Sequence, residues 1–411
     1  MDVGCVVIGA GAVGLSIART LAKRGASTGL LVLERHRSFG KEGSSRNSEI
    51  IHASAYYRPG SLKAELCVRG NELIYDICKA NGVPCENTGK LLVARDEKEA
   101  ALLPQMLARV QASGAKGAEL IDAQRMRELE PLVSGFGAVH CPTSGIVDSH
   151  AYMQYLEGCV SSAEGCQVVY NSEVVALEPM EHGGYKLQVA EVATGGSEIV
   201  SGPSTTLTAG SVINAAGLGS GRIAHMLGLK GPEYSLSPSK GMYFRLHQHL
   251  ARCPKKLIYP IIPPDSKAGL GVHTCPDTAG GMRLGPYQGD VPAPASPAED
   301  VNDPGNRSYI GSSAFNLSVP ESLAPAFVAA MKPFLPWLEV EHISPDGSTG
   351  LHPSHSRPPG SEGVERAAVD WLIKEESGVG LPGLVNLVGI DSPGLTSSPA
   401  IAELVSKLLN E

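Results

Sequence analysis

The sequence predicts an α/β protein of two domains. Three observations carry that expectation. A strand–turn–helix–strand unit occupies the first 34 residues, a later apolar run ends in small residues as such strands do, and Pro- and Gly-broken strands fit a second sheet.

Cys5-Val6-Val7-Ile8 is a short apolar run suited to a strand buried on both faces. Gly9 to Gly14 makes a glycine-rich turn. Val13 to Lys23 then places Val13, Ile17, Thr20 and Leu21 at helical spacing, with Gly25 as the C-terminal stop. Leu30 to Leu33 is the second strand and ends at Glu34. Beyond a polar stretch from Lys41 to Asn47, a helix is expected over Ser61 to Asn81. Strands are expected at Lys90–Ala94, Val168–Val175 and Leu207–Ala216, and strands of a second sheet at Leu257–Ile262 and Gly271–Leu284. Asp290–Asn306 and Pro353–Gly363 read as exposed loops, and no internal repeat is present.

Gly9-Ala10-Gly11-Ala12-Val13-Gly14 fits G-x-G-x-x-G. The first Gly permits the turn, the second lets backbone approach a pyrophosphate, and the third lets helix and strand pack closely. Exposed N–H groups and the positive end of the helix dipole hold the phosphates. Glu34 stands twenty positions after Gly14, placed to accept hydrogen bonds from ribose hydroxyls. The competing reading is a glycine turn with a surface Glu. The motif by itself does not separate NAD from FAD.

Composition narrows the classes. The 411 residues are 42% hydrophobic and 18% charged, as in ordinary globular proteins. A net charge of −8 without any basic run argues against nucleic acid as a partner. Nine scattered cysteines, none in C-x-x-C spacing, argue against a disulfide framework or a zinc site, and reduced buried thiols are expected. No targeting segment and no apolar stretch of the roughly 20 residues needed to span a bilayer is visible, so a cytoplasmic location is expected.

A longer segment, Ser44-Ser45-Arg46-Asn47-Ser48-Glu49-Ile50-Ile51-His52-Ala53-Ser54-Ala55-Tyr56-Tyr57, resembles the stretch beside the flavin in L-2-hydroxyglutarate dehydrogenases. These are a branch of the D-amino-acid-oxidase-like (DAO) flavoproteins. The likeness continues through Pro59–Ala64, Cys67–Gly70, Thr88–Leu91, Ile213–Leu218, Lys240–Phe244, Ile258–Pro260, Gly269–His273 and Gly389–Ser398.

The resemblance implies FAD as cofactor and a Rossmann-like FAD-binding domain of glutathione-reductase type, joined to a mixed-sheet substrate domain. The first would comprise residues 1–83, 145–228 and 340–411, the second 84–144 and 229–339. It also implies that Arg35, Ser44, Ser45, Arg46, Asn47, Ala216 and Gly217 lie against the dinucleotide, and that Gly394, Leu395 and Thr396 present a helix N-terminus to the flavin pyrimidine ring. Negative charge developing on that ring would be stabilised there. The competing reading of this block is a loop whose Thr396 or Ser397 caps the last helix. Glu49, Tyr243 and Tyr259 would border the substrate.

Oxidation of a 2-hydroxy acid needs a base for the hydroxyl proton, a hydride acceptor and a carboxylate anchor. His52 and His273 are the candidate bases, because only imidazole has an unperturbed pKa near neutrality. By family position His52 is the nearer to the flavin. Either histidine can also be an ordinary surface or core residue.

The chain departs from the family pattern at three positions. His352 stands where an Arg carboxylate clamp is expected, and Glu49 and Ser54 stand where Gly is usual. A histidine offers one hydrogen bond where a guanidinium offers two. Glu49 would repel a dicarboxylate unless it pairs with a nearby Arg, and Arg245, Arg283 or Arg357 are candidate replacements for the clamp.

The function expected is FAD-dependent oxidation of L-2-hydroxyglutarate or a related 2-hydroxy acid. Alternatives are an amine or amino-acid oxidase on the same fold, a catalytically inactive flavoprotein that binds a partner, and a nicotinamide-only dehydrogenase. Quinone, an electron-transfer protein and oxygen all remain candidate electron acceptors, and no metal is expected.

Overall fold

A computed structural model describes residues 2–25, 29–193, 200–250, 254–262, 271–290, 301–305, 315–355 and 369–410. The first strand, β1 (Val3–Ile8), and the helix α1 (Ala12–Lys23) lie where apolar periodicity puts them, and β2 (Leu30–Leu33) follows. Five parallel strands form the main sheet in the order Cys166–Val169, β2, β1, Val200–Asn214 and Leu381–Val388. All-parallel pairing buries both faces, which is why β1 and β2 are almost purely aliphatic. Leu372–Glu376 adds an antiparallel edge, and Ser172–Pro179 with Tyr185–Ala193 forms an antiparallel meander on the start of Val200–Asn214.

The expected strand Val168–Val175 is two strands. Asn171 takes a left-handed φ of 53° at the break, where the chain leaves the parallel sheet for the meander.

Helices cover the sheet. The second long helix, α2 (Leu62–Asn81), begins at the N-cap Ser61, whose hydroxyl accepts from the Ala64 N–H at 3.2 Å. The Asp370 carboxylate takes the N–H groups of Leu62 and Lys63 at 2.6 and 3.0 Å. Four donors are orphaned at every helix start, and all four find acceptors here, the Ser61 N–H donating to the Arg58 carbonyl at 3.0 Å. Gly82, at φ 68°, ends the helix. The C-terminal helix, α3 (Gly394–Leu408), packs against both α1 and α2. At Gly70 a side chain would overlap the Thr396 carbonyl, so this glycine sets how closely α2 crosses α3.

Eight of the remaining strands form two four-stranded sheets. One runs His273–Pro276, Met282–Asp290, Ser239–Leu246, Ile343–His352, and is wholly antiparallel. The other runs Leu257–Pro260, Lys90–Val93, Ala138–Cys141, Glu119–Ile121, with its first pair parallel. Leu257–Pro260 and the Gly271–Leu284 region therefore belong to different sheets, joined by the Ile258 N–H donating to Thr274 Oγ1 at 2.7 Å. Gly271–Leu284 is itself a hairpin, turned by Asp277, which accepts from the N–H groups of Ala279 and Gly281. Ile343–His352, placed by sequence with the C-terminal FAD-binding segment, pairs along its length with Ser239–Leu246.

A small sheet of Ile50–Ile51, Gly145–Val147 and Cys85–Glu86 carries His52 at its end. Most of Asp290–Asn306, much of Pro353–Gly363, Cys253 and Arg357 lie outside the described residues. The eight described cysteines are unpaired, Cys67, Cys78, Cys141 and Cys275 fully buried and the others partly. Among the described residues no helix is long and apolar enough to cross a membrane, and no cluster of His, Cys, Asp or Glu is placed to hold a metal.

Candidate active site

One cavity of about 640 Å³ runs from the Gly9–Gly14 turn to the aromatic residues of the second set of sheets. At its first end Gly9 has φ 105°, and a Cβ there would stand 2.6 Å from the Ala215 carbonyl oxygen. A side chain at Gly14 would overlap the carbonyl oxygen of Gly9. These two positions keep the turn tight against β1 and the strand ending at Asn214. Ser44 Oγ accepts from the Ala12 N–H at 3.0 Å, seating the polar turn of residues 43–47 over the start of α1. Gly11 to Gly14 line the cavity where the positive end of α1 favours phosphate. Glu34, nearly buried at the end of β2, accepts from the N–H groups of Ala10 at 2.8 Å and His36 at 2.9 Å. Its carboxylate is thus fixed in place with lone pairs still facing the cavity.

The other end is built around His52. Its N–H donates to Thr396 Oγ1 at 3.0 Å, and that hydroxyl donates to the Ile50 carbonyl at 3.1 Å. Thr396 therefore pins the Ile50–His52 strand to α3 and does not cap its own helix, so the capping reading of Thr396 is corrected. Gly394, Leu395 and Thr396 line the cavity at the helix N-terminus. Asn71 donates to the His52 carbonyl at 2.9 Å and completes the hold.

The His52 ring has Lys90 Nζ 3.5 Å from Nδ1 and Ser392 Oγ 3.4 Å from Nε2. Burial, with the Lys90 charge and His273 adding to it, pushes the His52 pKa well below the ordinary imidazole value. Lys90 is itself fully buried, 4.0 Å from the centre of the Tyr259 ring, and burial lowers its pKa to about 8. His273 stacks on the other side chain of this group, with ring centres 3.7 Å apart from Tyr259. Its Nδ1 lies 3.0 Å from the Gly271 carbonyl oxygen, an acceptor only, so the proton sits on Nδ1 and Nε2 keeps its lone pair. Burial, reinforced by Lys90, lowers the His273 pKa to about 3. Both imidazoles are neutral near pH 7.

Of the buried polar atoms without a hydrogen-bond partner among the described residues, two sit together on the stacked Tyr259–His273 pair: His273 Nε2 and the Tyr259 hydroxyl. One is an acceptor and the other a donor, and both residues line the cavity. Burial raises the Tyr259 pKa well above 10, so the hydroxyl keeps its proton. Groups left unpaired in this way are where a ligand's polar atoms belong.

Most residues singled out in the sequence line this one cavity: Gly9, Gly11, Gly14, Glu34, Arg35, Ser44, Arg46, Asn47, Ala216, Gly217, Gly394, Leu395, Thr396, His52, His273, His352, Tyr243 and Tyr259. Two do not. Ser45 is exposed, and among the described residues its hydroxyl donates to the Glu42 carbonyl. Glu49 turns away, its carboxylate 3.3 Å from Arg283 and accepting from the Ser149 N–H and hydroxyl at 3.1 and 2.7 Å. Glu49 and Ser54 have φ of 56° and 61°, the left-handed region that glycine fills most easily. Arg283 is buried and engaged by Glu49 and Ser348, and Arg245 by Asp277 and Asp346. Neither borders the cavity.

The sequence reading missed Lys90, Tyr56, Tyr57, Lys63 and Arg109. A lysine opening the otherwise aliphatic strand Lys90-Leu91-Leu92-Val93 is the signal that marks the first of them.

Comparison with known proteins is consistent with this geometry. The family described as FAD dependent oxidoreductase (DAO) matches residues 5–408. A mitochondrial L-2-hydroxyglutarate dehydrogenase of Arabidopsis thaliana is 33% identical over 98% of this chain and 83% of its own. The mitochondrial L-2-hydroxyglutarate dehydrogenase of Homo sapiens is 30% identical over 98% and 87%. Among solved structures, the FAD-bound L-alpha-glycerophosphate oxidase of Mycoplasma pneumoniae superposes with a TM-score of 0.75. It is 19% identical and covers 99% of this chain and 94% of its own, a likeness of fold.

Proposed function

Because this chain belongs to the DAO family of FAD-dependent oxidoreductases, we propose that it oxidises a small 2-hydroxy acid, L-2-hydroxyglutarate or a close relative, to the 2-oxo acid. The residues present suit the cofactor. The cavity joins a glycine cradle that a Cβ would fill, a fixed ribose-height carboxylate at Glu34, and the N-terminus of α3. Bound FAD supplies the hydride acceptor.

The observation that carries the substrate reading is the pair of unpartnered atoms, His273 Nε2 and the Tyr259 hydroxyl, beside a second neutral imidazole. A 2-hydroxy acid presents one hydroxyl donor and a carboxylate acceptor, the complement of that pair. Tyr259 and His273 Nε2 seat the carboxylate and the hydroxyl of the bound acid, and in the reaction that hydroxyl turns to His52 Nε2, which takes its proton. A substrate carboxylate brings negative charge between two imidazoles whose basicity burial and Lys90 hold down. Nearby opposite charge favours the protonated imidazole, so binding itself strengthens the base. The names of the relatives favour a hydroxy acid over an amine, and an intact cofactor cradle favours an enzyme over an inactive binder.

Anaerobic addition of L-2-hydroxyglutarate to the purified flavoprotein tests this. Bleaching of the flavin absorbance is expected. No bleaching in a protein that dithionite still reduces would overturn the reading and turn attention to amines.

A further inference from the structure

The cavity wall carries six cationic side chains among the described residues, and five are accounted for. Arg35 pairs with Glu42, Lys63 with Asp391 and Arg222 with Glu173. Arg46 donates to the carbonyls of Lys41 and Thr349, and Lys41 is an exposed residue beside Gly40, at the dinucleotide end. Arg109 remains. It lines the cavity, and no carboxylate pairs with it among the described residues.

Its position is set by the helix Leu103–Ala112, which ends at Ser113. Ser113 Oγ donates to the Tyr57 carbonyl at 2.8 Å, docking the helix end on the Tyr56–Tyr57 loop. Arg109 is four residues earlier, hence one turn back on the same face. Its charge is near enough to Tyr56 to oppose the rise that burial imposes on that phenol. The Tyr57 ring in turn meets the His52 ring edge-on, with centroids 6.2 Å apart. Arg109 therefore reaches the cavity wall beside the Tyr56–Tyr57 loop.

We propose that Arg109 binds the substrate carboxylate remote from the reacting carbon, and so selects dicarboxylic 2-hydroxy acids. The inference rests on the 2-hydroxy acid reading above. It also answers the departure at His352: the cation that a dianion requires comes from the substrate-domain helix. A guanidinium pairs bidentately with a carboxylate, and such contact is made in ground and transition states alike. Its loss raises KM and leaves kcat nearly unchanged.

The test compares the wild-type holoenzyme with Arg109→Met and Arg109→Lys, after their flavin content and melting temperature are matched. The substrates are L-2-hydroxyglutarate and L-2-hydroxybutyrate, which lacks the remote carboxylate. Arg109→Met is expected to raise KM for the dicarboxylate about 30-fold or more, with Arg109→Lys between, and to leave the monocarboxylate unchanged. Unchanged kinetics with the dicarboxylate, or an equal rise for both acids, overturns the proposal while the function stands. If neither acid reduces the wild-type flavin, the function reading fails, and glutarate binding followed by the flavin spectrum decides on Arg109. Glutarate binding that is lost in Arg109→Met supports the proposal. Binding equal in both proteins, or absent from both, overturns it.

Discussion

The Lys90 ammonium lies 3.5 Å from Nδ1 of His52, and no carboxylate among the described residues forms an ion pair with it. The state of one group fixes the tautomer of the other. A protonated Lys90 donates to Nδ1, so the His52 proton sits on Nε2 and that atom accepts nothing. A neutral Lys90 accepts from Nδ1–H and leaves Nε2 free to take a substrate proton.

The kcat/KM for flavin reduction should therefore rise with pH and level off above about 8, the value to which burial lowers Lys90. Lys90→Met should abolish that rise. Stopped-flow reduction across pH checks both, and a variant that keeps the wild-type limb would assign it to another group.

His52→Ala should slow flavin reduction about a hundredfold or more with FAD occupancy intact. His273→Ala should act mainly on KM, since its Nε2 orients the substrate. Rates of anaerobic reduction at saturating substrate separate the two. An unchanged rate in His52→Ala would remove it as the base.

Lys90 also bears on stability. Its folded pKa of about 8 lies below the ordinary 10.5. Below about pH 8 both states hold the proton and the full burial penalty applies. Between those values the unfolded chain binds more protons, so stability rises with pH, and above 10.5 the penalty is gone. Lys90→Met should stabilise the protein near pH 7 by up to about 3 kcal/mol, a gain that fades toward pH 10.5. Melting temperatures at the two pH values measure this, and a lower melting point near pH 7 would contradict it.

Glu49 combines a left-handed φ of 56° with an ion pair to the buried Arg283. Glu49→Ala keeps the strain and strands the guanidinium, and should cost about 3 kcal/mol. Glu49→Gly strands the same charge but relieves the backbone, and should be less destabilised than Glu49→Ala by about 1 kcal/mol. Chemical denaturation of both variants gives the order, and Ala at least as stable as Gly would refute it.

The turn from Gly9 to Gly14, Glu34 and the first βαβ unit were legible in the sequence because they are local. Glycine spacing, apolar period and an acid at a strand end each depend on neighbours a few residues away. The C-terminal block was legible only through family likeness, since nothing in its spacing says that Thr396 holds His52, 344 positions distant.

Lys90, Arg109 and the true role of Glu49 were decided by tertiary structure. Lys90 meets His52 across 38 positions, and Glu49 meets Arg283 across 234. Whether a charge faces a ligand, a partner or a ring depends on which distant segment packs against it. By itself the sequence determined the dinucleotide cradle and the oxidoreductase class. Packing between the sheets decided which cations are already neutralised and which imidazole nitrogen is free, because desolvation and pairing are properties of the assembled cavity.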